Sequence, residues 1–324
     1  MEILLSGLRA AAEPTRLRLL ALCAHAELTV SELVQILGQS QPRVSRHLKL
    51  LCEAGLLDRF REGTWAFYRL SEKGRCAELA RVLVDLIPDG DAALALDLQR
   101  LEAVKKSNSD RAAEYFRRNA DEWDKIRTLH IAEDKVEAAL REMFPVSGMQ
   151  DFLDIGTGTG RILELFGPRA ERAVGVDMSR EMLAVARANL QKADLRNCQV
   201  RQGDMYQLPF NDESFDGVVI HQVLHYAEDP AEAIAEAGRA LRPGGRLVVV
   251  DFAPHNLEML RDEHAHRRLG FADSEVLRWF ENAGLSPDRT VTLEGDPLTV
   301  CLWSATRAAN DSLENDDDTS EERA

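Results

Sequence analysis

Apolar positions near the amino terminus recur at helical spacing. Thr29-Val30-Ser31-Glu32 fits a capping box, with Thr29 as N-cap and Glu32 reaching back to it. Leu33, Ile36 and Leu37 then share one face of a helix that Gly38 stops. After a short turn, Ser40 is placed to cap a second helix, with Pro42 in its first turn, where a missing N–H costs nothing. Val44, Leu48 and Leu51 turn inward, which sends Gln41, Arg43, Arg46, His47 and Lys49 outward or to the rim. Gly55 ends this helix. Asp58–Arg61 and Thr64–Leu70 are aromatic and β-branched runs around Glu62-Gly63, and they predict a hairpin. Helix, short turn, capped helix and hairpin make a winged helix-turn-helix, whose second helix enters the major groove by its N-terminal end. Ser40, Gln41, Arg43, Arg46 and His47 become candidate DNA contacts on that helix, and Arg59, Arg61 and Arg69 candidate phosphate contacts on the wing.

Further along, the pattern changes to short apolar runs separated by helical stretches. Asp151–Ile155 predicts a strand running into Gly156-Thr157-Gly158-Thr159-Gly160, and a helix begins near Arg161. Ala173–Asp177, Gln199–Gln202, Phe215–Ile220 and Leu241–Val250 predict further strands. Strand, glycine loop and helix N-terminus form a Rossmann-like nucleotide turn, with glycines where backbone must approach a ligand closely. A dinucleotide site needs a third glycine at position 161, which is arginine, so the spacing here is G-x-G-x-G. Asp177 lies 23 residues after Asp154, where a carboxylate can accept both hydroxyls of a ribose. Between the two patterned regions, residues 89–150 are charged and helix-rich. Lys105–Ser109 breaks the apolar period and is the linker candidate.

The length of 324 residues favours two domains. Apolar residues at 45% and charged residues at 29% are globular values. No apolar run reaches the roughly 18 residues of a membrane helix, and Met1–Leu5 carries no basic segment, so a cytoplasmic protein without membrane contact is expected. The five cysteines form no C-x-x-C, which argues against a disulfide framework or a zinc finger, and no metal is expected. Charge divides the chain. Residues 1–75 hold 11 basic and 8 acidic side chains, while the whole chain carries −15. A mildly basic head on an acidic body directs only the head to a polyanion. Residues 310–324 hold seven acids and one arginine, and predict a disordered tail.

Gln39–Leu56 and Arg61–Leu70 closely resemble ArsR-type transcriptional repressors over residues 1–88. The resemblance implies a homodimer that reads two half-sites of a double-stranded operator, paired through the first and last helices of the domain. Leu4, Leu5 and Leu8 form one apolar stripe, and Leu79, Ala80, Leu83, Val84 and Ile87 another. Metal-sensing relatives carry a Cys-Val-Cys pair where this chain has Thr29-Val30-Ser31, and hydroxyls do not replace soft thiolates. Cys23 and Cys76 fall where thiol-sensing relatives place a pair. Two buried small hydrophobes is the reading favoured for them.

The glycine loop and the segments after it resemble class I S-adenosylmethionine (SAM) methyltransferases. The implied organisation is a winged helix-turn-helix over 1–88, a helical linker over 89–109, an α/β Rossmann-like domain with a seven-stranded, mostly parallel sheet over 110–306, and the tail over 307–324. By the same resemblance, Asp154, Gly156, Gly158 and Gly160 form the cofactor loop, Asp177 holds the ribose and Met178 packs on adenine. Asp204 accepts from the adenine amino group, Met205 packs on the ring, and His221 stands at the substrate side. Tyr115 and Trp123 are candidates for a helical lid. His221, His225, Tyr226 and His255 are weak catalytic candidates, and none is diagnostic. The Asn-Pro-Pro-Tyr and Pro-Cys motifs of DNA-base methyltransferases are absent, and Cys198 and Cys301 are too few for arsenite methylation. Two readings stay open. In one, a repressor senses SAM or S-adenosylhomocysteine (SAH) through its body. In the other, the body methylates a small molecule and the head regulates its own operon.

Overall fold

The computed structural model describes residues 1–309 apart from 63, 72, 73, 75, 89, 120–132 and 145–147. The predicted acidic tail from 310 onward, Gly63 of the hairpin turn and Trp123 lie outside the described residues.

The head comprises α1 (Glu2–Ala11), α2 (Pro14–His25), β1 (Leu28–Thr29), α3 (Val30–Leu37), α4 (Gln41–Glu53), β2 (Leu57–Glu62), β3 (Trp65–Leu70) and α5 (Ala77–Asp85). The capping box forms: Thr29 N donates to Glu32 Oε2 at 2.8 Å, and Glu32 N donates to Thr29 Oγ1 at 3.3 Å. Gly38 closes α3 at φ 64°. Ser40 occupies the N-cap of α4, yet its side chain makes no capping bond. Its carbonyl accepts from Arg43 N and Val44 N instead. The hairpin gains a third strand that alternation in two residues could not reveal, as β1 pairs with β3 through Leu28–Tyr68 and Thr29–Phe67.

α6 (Ala92–Asn119) is one uninterrupted helix. The linker expected at Lys105–Ser109 is helical, because a polar run breaks an apolar period without breaking a helix that contains no Pro or Gly there. Its first half belongs to the head: Leu101 and Val104 are buried in the head's apolar core, so that core continues past residue 88. Asp97, fully buried, takes a forked pair from Arg18 of α2 at 2.5 and 2.7 Å.

The body follows α7 (Glu133–Met143) with β4 (Met149–Ile155), α8 (Arg161–Phe166), β5 (Ala170–Asp177), α9 (Arg180–Lys192), β6 (Cys198–Gln202), β7 (Phe215–His221), α10 (Pro230–Ala240), β8 (Leu241–Phe252), α11 (Met259–His264), α12 (Asp273–Asn282), β9 (Leu285–Leu293) and β10 (Val300–Arg307). The sheet runs β6-β5-β4-β7-β8-β10-β9, and β10 runs opposite to the other six strands. The central strands read as near-continuous apolar runs because both faces are covered, each by its own buried cluster. The strand order reverses between β4 and β7, which opens a crevice at their carboxyl ends.

Head and body are joined by arginines. Arg268 bonds Glu27 of the head at 2.8 Å and Glu275 of α12 at 3.0 Å, and Arg69 of β3 bonds the same Glu27 at 3.0 Å. The Arg261 guanidinium lies over the Trp65 ring, 4.5 Å from its centre, and Thr64 N donates to Glu258 at 2.6 Å. One face of the wing therefore rests on the body.

Candidate cofactor and DNA sites

The crevice holds a cavity bounded on one side by the glycine loop. Gly156 has φ 71°, and a Cβ there would stand 2.3 Å from Val223 of the opposite wall, so both conformation and space demand glycine. Gly156 N and Thr157 N donate to Val176 O at 2.8 and 3.0 Å, fastening the loop to β5. Asp177 ends β5 at the cavity. Its carboxylate accepts from Gly158 N at 2.9 Å and Ser179 N at 2.8 Å. Burial raises its pKa, and the backbone donors oppose that rise. Asp154, buried at the end of β4, also lines the cavity, and Met178, Met182 and Met205 supply apolar wall. Thr157 lines it as well, with its buried hydroxyl packed against Gly175 of β5.

Two carboxylates and apolar side chains suit a nucleoside with vicinal hydroxyls, a flat base and an ammonium group. The residues present thus fit the cofactor that the resemblance to SAM methyltransferases implies. Two expected contacts depart from this set. Asp204 does not line the cavity: its carboxylate accepts Tyr206 N at 3.0 Å in a tight turn, while its neighbours Gly203 and Met205 face inward. Gly160 does not line it either, and serves as the left-handed N-cap of α8.

The opposite wall comes from the segment after β7. His221, Gln222, Val223, Tyr226 and Glu228 line it, joined by Phe116 of α6, whose ring meets Tyr226 edge-on at 4.7 Å. Tyr115 OH and His264 Nδ1 lie 2.6 Å apart and hold α6 to α11. Burial lifts the Tyr226 phenol well above its ordinary pKa, with Tyr115 and Asp251 adding to the rise, so it stays protonated. His225 sits behind this wall. Its Nδ1 is 2.8 Å from Asp251 Oδ1, its ring stacks on His266 at 4.0 Å, and it does not line the cavity, which makes it a brace. His255 adjoins it, and burial depresses its pKa to about 4. Glu228 is pushed up to about 7, first by burial; Arg267 opposes that and the Glu32 charge adds to it. Phe116 and Glu228 escaped sequence reasoning because their role depends on packing, not on spacing. Among the described residues, no group of three or more His, Cys, Asp or Glu could hold a metal.

On the head, Ser40, Gln41, Arg43 and Arg46 are exposed along the front of α4, and Arg59 and Arg61 along β2. Two candidates are engaged elsewhere. His47 is half-buried, with Nδ1 3.8 Å from Glu13, and Arg69 faces the body through Glu27 and Glu275. All five cysteines are free. Cys23 is fully buried, which pushes its thiol well up, and Cys76 packs on α1 with Sγ 4.0 Å from Ile3 O.

Residues 13–59 match the model of the bacterial regulatory protein arsR family, and residues 153–249 match a methyltransferase domain. A demethylmenaquinone methyltransferase of Clavibacter sepedonicus is 30% identical over 190 residues, which cover 58% of this chain and 76% of that protein. The chain belongs to the class I methyltransferases and carries an ArsR-type head. YcgJ of Bacillus subtilis, named an uncharacterized methyltransferase, is 36% identical over 105 residues, or 32% of this chain and 42% of YcgJ. The chain spans less than half of several curated relatives, including 47% of a demethylmenaquinone methyltransferase of Thermus thermophilus. Among solved structures, the complex between the Haloferax volcanii Trm112 methyltransferase activator and its methyltransferase contains a chain with the same fold, at TM-score 0.53 and 23% identity, covering 61% of this chain and 97% of that one. No helix among the described residues of this methyltransferase–ArsR fusion is long and apolar enough to cross a membrane.

Proposed function

We propose that the protein is a dimeric DNA-binding regulator, a repressor by type, and that SAM or SAH bound in the body is its effector. The observation that carries this reading is the direct attachment of the head to the cavity wall. Arg267 N and Arg268 N both donate to the carbonyl of His225 at 2.9 and 3.0 Å, and the same two side chains reach Glu32 and Glu27 of the head. That attachment gives a ligand in the cavity a physical route to the head. Asp154 and Asp177 would hold the polar ends of the cofactor, and Gly156 and Gly158 would let it pass close to the backbone. When bound as SAM, the group supplies an electrophilic methyl.

Exposed side chains support the dimer. Ile3, Leu4, Leu5 and Leu8 of α1, Val82 of α5 and Leu86 at its C-cap present apolar surface on the head. On α5 the outward pair differs from the expected stripe: Leu79, Ala80, Leu83 and Val84 pack into the head's own core.

A second reading, turnover of a small apolar acceptor, draws support from the apolar and aromatic wall formed by Val223, Tyr226 and Phe116. The demethylmenaquinone methyltransferases among the relatives point the same way. Fluorescence anisotropy on the DNA upstream of the protein's own gene, titrated with SAM and with SAH at fixed salt, separates the two. The expected result is a ligand-dependent change in DNA affinity. Tight DNA binding indifferent to both ligands would leave the second reading standing and remove the first.

A further inference from the structure

The cavity and the head share one guanidinium. Arg267 is buried between two carboxylates: Nη1 lies 2.9 Å from Glu32 Oε1, and Nη2 lies 3.0 Å from Glu228 Oε2. Glu228 lines the cavity. Glu32 is the capping-box residue of α3, and its other oxygen accepts Thr29 N. Asn108 of α6 joins the cluster by donating to Glu32 Oε1 at 3.1 Å and bonding Glu228, and the charge of Lys105 acts on Glu228 as well. Four elements therefore meet at one buried cation: the loop after β7, the loop before α12, α6, and the first helix of the helix-turn-helix.

The two acids are not equal partners. Burial works to raise the pKa of Glu32, but Arg267 and the Thr29 bonds outweigh it and hold it below the usual carboxylate range. Glu228 is raised to about 7, so it is the weaker claimant on the cation. Buried charges are held by their partners, and removing one partner forces the others to rearrange.

We propose that Arg267 is the coupling residue of this protein: ligand contact with Glu228 on its cavity side changes the hold of Arg267 on Glu32, and so changes the seating of α3 and the head. This rests on the sensor reading above. A donor or cation that engages Glu228 from the cavity draws its carboxylate off Arg267. The guanidinium then turns wholly to Glu32, and the loop carrying His225 moves with it, because Arg267 N and Arg268 N are bonded to the His225 carbonyl. Each ligand alters the affinity of the other only through such a difference in contacts.

The test uses the full chain, its upstream DNA and SAH. The quantity read is the ratio of DNA Kd at saturating SAH to DNA Kd without it. For the wild type this ratio is expected to differ from 1 by about 5- to 150-fold. Arg267→Gln and Glu228→Gln are each expected to bring it to within about twofold of 1, and the double variant to change it no further. Glu228→Gln leaves the Arg267–Glu32 pair in place and keeps the test open should Arg267→Gln fail to fold. A variant that melts cooperatively, binds SAH by calorimetry and keeps the wild-type ratio overturns the proposal and leaves the sensor reading intact. A wild-type ratio of 1 with SAH bound overturns both.

Discussion

Glu32 uses one carboxylate oxygen to close a capping box four residues long and the other to hold an arginine 235 residues away. The first role was legible in the sequence, because Thr-x-x-Glu before an apolar run carries its own local geometry. The second was not, because no local pattern encodes a contact at that separation. Asp177 was legible for a similar reason: the end of the strand after a glycine loop is a fixed place. Asp177→Ala should weaken SAH binding about 10- to 100-fold, the range expected for losing hydrogen bonds to a charged group, while DNA binding without ligand stays near the wild-type value. Calorimetry and anisotropy on the same preparation check both halves. Equal loss in both would mean that cofactor loop and head do not form separate sites. Asp204 and His225 show how packing places a residue that spacing picks out. Each lies beside the cavity lining and not in it, with Asp204 Oδ1 accepting Tyr206 N and the His225 imidazole bonded to Asp251.

At the scale of elements, α6 is helical as expected within 89–109 but runs on unbroken to Asn119. Its run Lys105-Lys106-Ser107-Asn108-Ser109 looked like a break because it lacks apolar residues, but Asn108 faces the polar cluster at Arg267 and Lys105 acts on Glu228 there. Polar side chains in a helix mark a polar neighbour as readily as a linker. β4, β5, β7 and β8 were legible as apolar runs between helices, while the polar edge strand β6 was placed by the Gly203-Asp204-Met205 segment that follows it. β9 and β10 were reachable only through family resemblance, since Leu285–Leu293 alternates weakly at the sheet edge. The anchor of α6 on the head is the buried pair of Arg18 and Asp97. Asp97→Ala leaves the guanidinium of Arg18 without its forked partner. It should lower stability by about 3 kcal/mol, the scale for breaking a buried pair, discounted because Arg18 is partly exposed. Chemical denaturation followed by far-UV circular dichroism measures this. A change below about 0.5 kcal/mol, the size of a surface substitution, would show that the pair does not anchor the helix.

The molecule as a whole separates its surfaces by charge and by polarity. The exposed arginines of α4 and β2 lie within residues 1–75, which have a basic balance, while the rest of the chain carries the acidic excess that disfavours a polyanion. The apolar faces of α1 and α5 give a second copy somewhere to sit, and a two-fold pair would present two reading helices to two half-sites. Leu4→Glu combined with Leu8→Glu should give a monomer by light scattering and lower operator affinity at least about tenfold, since each half-site then binds alone. A dimer of unchanged stability would move the interface elsewhere. One feature of the fold also bears on how such a protein could arise or be taken apart. α6 is about 40 Å long, places Leu101 and Val104 in the head's core, and ends with Phe116 in the cavity wall. A head cut at residue 88 would lose part of its own interior, and a body cut at residue 110 would begin inside a helix. Exchanging one body for another by recombination must therefore carry this helix along, and any junction that splits it leaves both pieces with a wound.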